Sequence, residues 1–164
     1  MDAGAKADLL IPVGLLGELS APAVAVTDGS GDPEWVTLPC IGRFQYGPVP
    51  ALTMPLDHRT AAVAREWLEY QRRNKTFVTP ATILLLVAAT GVFVMADRWG
   101  AAAYITGLVM LAVAAAATLW RMRKEKRLVL PAFPRLSGGA VRIGQVPIEV
   151  CRQWVDRYPE ISTI

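Results

Sequence analysis

Two uncharged apolar runs lie almost back to back near the middle of the sequence, and they limit the possible fold more than any other feature. The first covers residues 76–96 and the second covers residues 99–120, with Asp97 and Arg98 between them. About 20 helical residues, at about 1.5 Å each, span the hydrocarbon layer of a bilayer, which is about 30 Å thick. Each run is long enough to cross a membrane once, so the sequence predicts an integral membrane protein.

A single helix through both runs would place two charges near the middle of the membrane, where each costs at least about 2.5 kcal/mol. A turn at the far interface avoids this cost. We therefore expect an antiparallel transmembrane hairpin with helices at 76–96 and 101–120 and a short external turn at 97–100. Amphipathic rings prefer the headgroup level of a bilayer. The aromatic residues expected to anchor the hairpin there are Trp99, Tyr104 and Trp120.

Basic residues flank both runs on the side away from the turn, and the turn itself has only Arg98, which Asp97 offsets. Cytoplasmic loops carry an excess of Lys and Arg, so both termini are predicted to be cytoplasmic in a multi-pass protein of the plasma (inner) membrane. The same cations could also attract an anionic surface. They are Arg72, Arg73, Lys75, Arg121, Arg123, Lys124, Lys126 and Arg127.

The two tails, residues 1–75 and 121–164, are each short for an independent domain. Segments of this size bury little apolar surface alone, so we expect the tails to fold together as one small α+β cytoplasmic domain or to lean on a partner. The first tail has a net charge of about −2 and the second about +5. Residues 9–16 are apolar, but Pro12 interrupts them and no basic segment precedes them, so they are not expected to be a cleaved signal peptide.

Local patterns predict the elements of this domain. Residues 23–27 and 34–38 are β-prone and flank a Gly-rich and Asp-rich segment, which predicts a hairpin. An amphipathic helix is predicted at 56–74. In the second tail, residues 128–133 and 140–143 flank Ser137-Gly138-Gly139 in the same way.

The tails also resemble each other faintly. Leu38-Pro39 and Leu130-Pro131 are each followed sixteen positions later by another proline, which is Pro55 in the first tail and Pro147 in the second. Each of these prolines suits the first position of a helix. A duplication would give each tail a strand pair followed by a helix with an inward tryptophan, Trp67 or Trp154, although common prolines could also produce the match by chance.

No segment carries the spacing of a known reactive site. Residues 29–33 lack the lysine of a phosphate-binding loop, and neither run has an ionisable group near its centre. Cys40 and Cys151 are expected to be free thiols, and with His58 as the one histidine they are too few for a zinc site. His58 is expected to be a solvated or capping residue. The sequence predicts no catalytic, cofactor or metal residue, and no enzyme.

Small residues in the second run allow close approach of helices, which drives association in lipid. The predicted association positions are Ala103, Gly107, Ala112 and Ala116. They could serve contacts with other membrane subunits, contacts between copies of this chain, or contacts within the hairpin itself. The leading hypothesis is a non-enzymatic accessory or scaffold subunit whose partners are membrane lipids, other membrane proteins and cytoplasmic proteins.

Two alternatives stay open. The basic tail could make the protein an adaptor for anionic lipid or, less favoured, for nucleic acid. The chain could also form a homo-oligomeric pore or transporter lined by threonine hydroxyls. The threonines in question are Thr79, Thr82, Thr90, Thr106 and Thr118.

Overall fold

The computed structural model describes residues 5–42 and 49–164, apart from the side chain of Asp97. It divides into two compact units. The first unit joins residues 1–66 to residues 129–164, and the second contains residues 67–128. Helix α1, His58–Arg73, contributes residues to both.

A four-stranded antiparallel sheet unites the two tails in the first unit. It contains β1 (Lys6–Pro12), β4 (Arg135–Ser137), β5 (Ala140–Pro147) and β6 (Ser162–Thr163) in the order β4-β5-β1-β6. The first tail supplies β1, which pairs along its length with β5 of the second tail. Leu9 and Ile11 point to one face of β1 and are fully buried. The apolar residues 9–16 thus begin in a central strand of the folded domain.

A separate strand pair, β2 (Glu34–Pro39) and β3 (Ala51–Leu56), corrects the predicted first hairpin. Residues 34–38 do form a strand, but residues 23–27 form turns, and the partner strand lies further along the chain. The Gly29 N–H donates to the Ala25 carbonyl at 2.8 Å, closing a turn where the sequence predicted a strand. β2 instead pairs with β3, whose Leu52, Met54 and Leu56 are buried.

The second hairpin has the predicted turn but a different first strand. Gly138 and Gly139 both adopt positive φ, at 59° and 85°, which glycine tolerates without steric cost. β4 occupies residues 135–137, whereas the predicted strand at 128–133 contains a helix end and a turn. Helix α5, Ile148–Arg157, follows β5 directly and fully buries Trp154.

The start of α1 differs from the prediction that Pro55 takes its first position. Pro55 lies within β3, and Asp57 caps the helix, with its Oδ2 accepting the Thr60 N–H at 3.0 Å. Ala64 and Trp67, which lie on the predicted apolar face of α1, are buried, and Ala61 is buried as well.

The faint resemblance between the tails is retained only around their helices. In each tail a proline at or near the end of a strand precedes a helix with a buried tryptophan. The earlier prolines do not correspond, because Pro39 ends β2 whereas Pro131 lies ahead of β4.

The second unit contains the two apolar helices. One helical path runs from His58 to Val94 over 37 residues, and α4, Ala101–Leu128, has 28 residues. Both are long and apolar enough to cross a membrane by length and composition. In the most apolar stretch of each helix, only 6% of the first path and 17% of α4 are buried. The core helix of a soluble protein would be mostly buried. Between them lie the short helix α3, Ala96–Trp99, and Gly100 with φ of 71°.

The first path changes its hydrogen-bond spacing ahead of Pro80. Residues Asn74–Val78 form a π-helical turn, and the Thr79 N–H donates to the Asn74 carbonyl. α2, Thr79–Val94, follows without a break and has Pro80 in its first turn. Proline lacks an N–H and its ring crowds the preceding turn, so a wider turn before Pro80 keeps the path helical.

Candidate functional site

The predicted association residues of α4 fall on two different faces. Ala103 and Gly107 are buried, and a Cβ at Gly107 would lie 2.8 Å from Cζ of Phe93 on α2. The missing side chain at Gly107 is therefore what lets the Phe93 ring lie against α4. Ala112 and Ala116 are exposed instead. Ala103 and Gly107 therefore lie between the two helices, whereas Ala112 and Ala116 lie on the outer surface of α4.

Large apolar side chains cover the remaining outer surface of both helices. A soluble protein rarely exposes a continuous apolar surface of this extent, which is typical of contact with lipid or with other apolar helices. The exposed residues are Phe77, Ile83, Leu84, Leu86, Val87 and Val94 on the first path and Ile105, Leu108, Val109, Leu111, Val113 and Leu119 on α4.

The predicted anchor residues lie at the ends of the apolar segments. Trp99 is exposed in α3, and the exposed Tyr104 ring lies 6.3 Å from the Phe93 ring. At the other end, Trp120 packs edge-on against Tyr70 with 6.5 Å between ring centroids. Sequence reasoning did not select Tyr70, although it continues the buried spacing of Ala64 and Trp67 along α1.

The predicted basic positions also separate into two groups. Most are exposed: Arg72, Arg73, Lys75, Arg123, Lys126 and Arg127. Arg121 and Lys124 are partly buried and face the first helical path. The Lys124 Nζ lies 5.3 Å from the Tyr70 centroid and 5.7 Å from the Trp120 centroid, within range of a cation–π contact with both rings.

Arg121 makes two polar contacts with the first helical path. Its carbonyl accepts the Tyr70 hydroxyl at 3.1 Å, and its Nη1 donates to the Thr79 Oγ1 at 3.4 Å. Nearby, the Gln71 amide donates to the Glu125 carboxylate at 3.0 Å. Asn74 lies between Tyr70 and Thr79 along the chain and is 7% exposed. The sequence signal for this cluster was the polar pair Gln71 and Asn74 at helical spacing, followed by Thr79 inside the apolar run.

Four of the five threonines considered as a pore lining bond to their own backbone, and the fifth, Thr79, accepts a hydrogen bond from Arg121. The acceptors are the carbonyls of Val78 for Thr82, Leu86 for Thr90, Ala102 for Thr106 and Ala114 for Thr118, at 2.7 to 2.9 Å. Their hydroxyl protons are therefore used inside each helix, which weakens the interpretation of these residues as a pore lining.

In the first unit, a β-bulge between β1 and β5 forms a second polar cluster. Gln145 has a backbone φ of 59°, a left-handed conformation that residues other than glycine rarely adopt. The Asp8 carboxylate accepts its N–H at 3.0 Å and accepts the Arg142 Nε at 2.7 Å. The hydrogen bonds from Arg142 and then from the Gln145 N–H hold the pKa of Asp8 below its ordinary value.

Two open concavities lie around this bulge and share Pro131 and Gln145 among their lining residues. One, of about 260 Å³, is lined by polar groups that include Lys6, Asp28 and Thr60. The other, of about 340 Å³, is lined by Asp8, Arg135, Arg142 and Gly144 as well. Their mixed charges suit a polar protein surface better than an apolar ligand.

His58 lies on the surface of the first unit among carboxylates. Its Nδ1 is 2.8 Å from the Glu34 carboxylate, and its Nε2 is 3.5 Å from that of Asp32. The hydrogen bond with the Glu34 carboxylate, followed by the one with Asp32, raises the pKa of His58 above its ordinary value. His58 is exposed, in agreement with the predicted solvated residue, while Asp57 performs the capping.

Both cysteines are buried free thiols. Burial raises the pKa of Cys40 to about 11 and also raises the pKa of Cys151. Within residues 5–42 and 49–164, no three or more His, Cys, Asp or Glu side chains group so that they could hold a metal ion. No protein-family model, curated protein or solved structure matches this chain.

Proposed function

We propose that this chain is a two-span protein of the plasma (inner) membrane that serves as a non-enzymatic accessory or scaffold subunit. The observation that carries the proposal is the pairing of β1 with β5. β1 precedes both apolar helices in the chain and β5 follows both. Because paired strands must lie on the same side of a membrane, the segment between β1 and β5 crosses it an even number of times. With one crossing by each apolar helix, α2 and α4 would form a hairpin.

The exposed apolar surface of the helices supports a bilayer location. Lipid chains cover side chains such as Leu84 and Ile105, which are 71% and 63% exposed on the chain itself. The basic residues at the tail ends of both helices orient the tails to the cytoplasm by the positive-inside rule.

Partners are expected at two places. Ala112 and Ala116 present small side chains on the outer face of α4, where another transmembrane helix can approach closely. The polar concavities beside Gln145 offer a site for a cytoplasmic protein.

Topology is tested with sealed membrane vesicles of both orientations. Epitope tags are placed at the two termini, and protease is added from outside. We expect both tags to survive in right-side-out vesicles and both to be lost in inverted ones, while alkaline carbonate leaves the protein in the membrane. Loss of only one tag in either orientation, or release by carbonate, would contradict the proposal.

The subunit role is tested with a photo-crosslinking amino acid in living cells. Placed at Ala112 or Ala116, it should give a discrete protein adduct, identified by mass as another protein or a second copy. Leu84, an exposed position on α2, provides the matched control for lipid-facing placement. Adducts with lipid alone at all three positions, together with a monomeric mass in mild detergent, would overturn the accessory role.

A further inference from the structure

Arg121 is held in an unusual direction for a cation at the end of an apolar helix. Side chains of a helix lean toward its N-terminus, and for Arg121 that direction leads back along the apolar part of α4. Its Nη1 contacts Thr79, which lies just before Pro80 and inside the apolar run of the first path. A lysine or arginine at such a position usually extends outward to water.

The guanidinium also lacks a matching anion. The Arg121 Nε is buried and has no hydrogen-bond partner among the residues that the structure describes. No carboxylate within that part of the chain forms an ion pair with Arg121 or Lys124. A planar guanidinium offers donors that match the oxygens of a phosphate or carboxylate. The Nε of Arg121 is a donor that no described residue accepts, so this guanidinium is chemically suited to an oxyanion.

Lys124 and two aromatic rings complete the surroundings. Lys124 lies one helical turn after Arg121 and faces the same helical path, with its ammonium near the Tyr70 and Trp120 rings. Trp120 is 57% exposed, as expected of a ring at headgroup level. Glu69 and Glu125 are the only acidic residues at this end of the unit, against eight cations at 72–75 and 121–127.

From these contacts we infer that Arg121 and Lys124 form a binding site for the phosphate of an anionic phospholipid. The inference rests on the proposed bilayer location of α2 and α4. The lipid phosphodiester accepts hydrogen bonds from the Arg121 guanidinium and ion pairs with Lys124, while its acyl chains lie along the exposed apolar faces. Thr79 and the Tyr70 hydroxyl position Arg121, and the two rings position Lys124.

The test uses the full chain purified in mild detergent and measures retained lipid by native mass spectrometry. Phosphatidylglycerol, phosphatidylcholine and inorganic phosphate are added in separate arms. We expect wild-type protein to retain phosphatidylglycerol in preference to phosphatidylcholine. Arg121→Gln should weaken that retention about tenfold or more, because a charge-assisted hydrogen bond is lost, and Lys124→Gln should weaken it as well.

Arg123→Gln is the matched control, since it removes the same charge from an exposed position two residues away on α4. It should leave retention nearly unchanged. Equal losses in the Arg121 and Arg123 variants would mean diffuse attraction to the basic surface and would overturn the site. Displacement of the lipid by inorganic phosphate would overturn the assignment to a phospholipid.

A structural role for Arg121 has a different signature. The buried Asn74 amide oxygen has no partner within the described residues, and a shift of the two side chains could join it to Arg121. The unfolding temperature of Arg121→Gln would then be lower than that of wild type while its lipid retention stayed constant, which would overturn the inference. Carbonate extraction of wild-type membranes runs alongside. Protein that stays in the membrane but retains no phosphatidylglycerol refutes the lipid site alone, whereas protein released by carbonate refutes the proposed function.

Discussion

Asp8 has a charged carboxylate at the bulge between β1 and β5 of the first unit. Its carboxylate joins the Arg142 side chain to the Gln145 N–H, so it ties the bulge of β5 to β1. These hydrogen bonds lower the pKa of Asp8 in the folded protein. A lowered folded pKa stabilises the protein above the unfolded value, near 3.9, and this stability is lost as the pH falls through the folded pKa.

Asp8→Asn should therefore lower the free energy of unfolding by about 1 kcal/mol at neutral pH. The difference from wild type should shrink as the pH falls toward the folded pKa of Asp8, because the wild-type carboxylate is then protonated. Thermal unfolding in detergent between about pH 3 and pH 7 measures it. Asp156→Asn, an exposed change on α5, is the control and should have little effect. A pH-independent difference would contradict the role assigned to the charge.

Gln145 stores backbone strain at the same bulge. Glycine normally destabilises a strand by about 0.5 to 1 kcal/mol relative to alanine. At a φ of 59° the order should reverse, because glycine adopts this conformation freely while alanine retains the strain. Gln145→Gly should thus unfold at a higher temperature than Gln145→Ala. The two variants are matched controls for each other, and a less stable glycine variant would show that the bulge carries no strain.

At the scale of elements, close contact between α2 and α4 depends on Gly107. A Cβ there would meet the Phe93 ring, whose centroid also lies 6.3 Å from that of the Tyr104 ring. Gly107→Leu should force the Phe93 ring out of place and destabilise the helix pair by about 1 to 3 kcal/mol, as overpacking does. Thermal unfolding in detergent and the loss of the Phe93–Tyr104 contact by NMR measure the effect.

Ala112→Leu adds the same side chain to the exposed face of α4 and should leave the unfolding temperature of the isolated chain unchanged. Equal effects of the two leucines would mean that α4 packs in another rotation. In cells the Ala112 variant has a second use, because a leucine on the outer face should weaken association with a partner helix while the fold is kept.

The elements also show where sequence patterns are informative. The uncharged runs and the helical spacing of Ala64 and Trp67 are properties of nearby residues, so they predicted the apolar helices and the buried face of α1. Strand partners are not contiguous. The β-prone residues 23–27 precede β2 in the sequence, but β2 pairs with β3 instead. In β3, alternate side chains are buried, as the pairing of two half-buried strands requires.

At the scale of the whole molecule, the first unit should respond as one domain although its parts come from both ends of the chain. Cys40 lies in the first tail and Cys151 in the second, and both are fully or almost fully buried. In native protein at neutral pH, neither thiol should react with a maleimide, because both are inaccessible and largely protonated.

Leu9→Ala should expose both thiols together. Leu9 is fully buried in β1, and truncation of a buried leucine costs about 2 to 5 kcal/mol. A change in the first tail should therefore speed the labelling of Cys151 in the second, as followed by mass spectrometry. Ile164→Ala, at a side chain that is 76% exposed, is the control. Faster labelling of Cys40 alone would mean that the tails fold separately.

The two apolar helices, their basic flanks and the amphipathic α1 follow from the order of residues alone, because charge, length and helical spacing are local quantities. Packing sets which strands pair and places Asp57, rather than Pro55, at the start of α1 as its cap. It also turns Arg121 toward Thr79 and leaves Arg123 exposed. These features depend on residues that lie far apart in the chain, and only the packed arrangement brings them together. The same distinction separates Ala103 and Gly107, used between the helices, from Ala112 and Ala116 on the outer face.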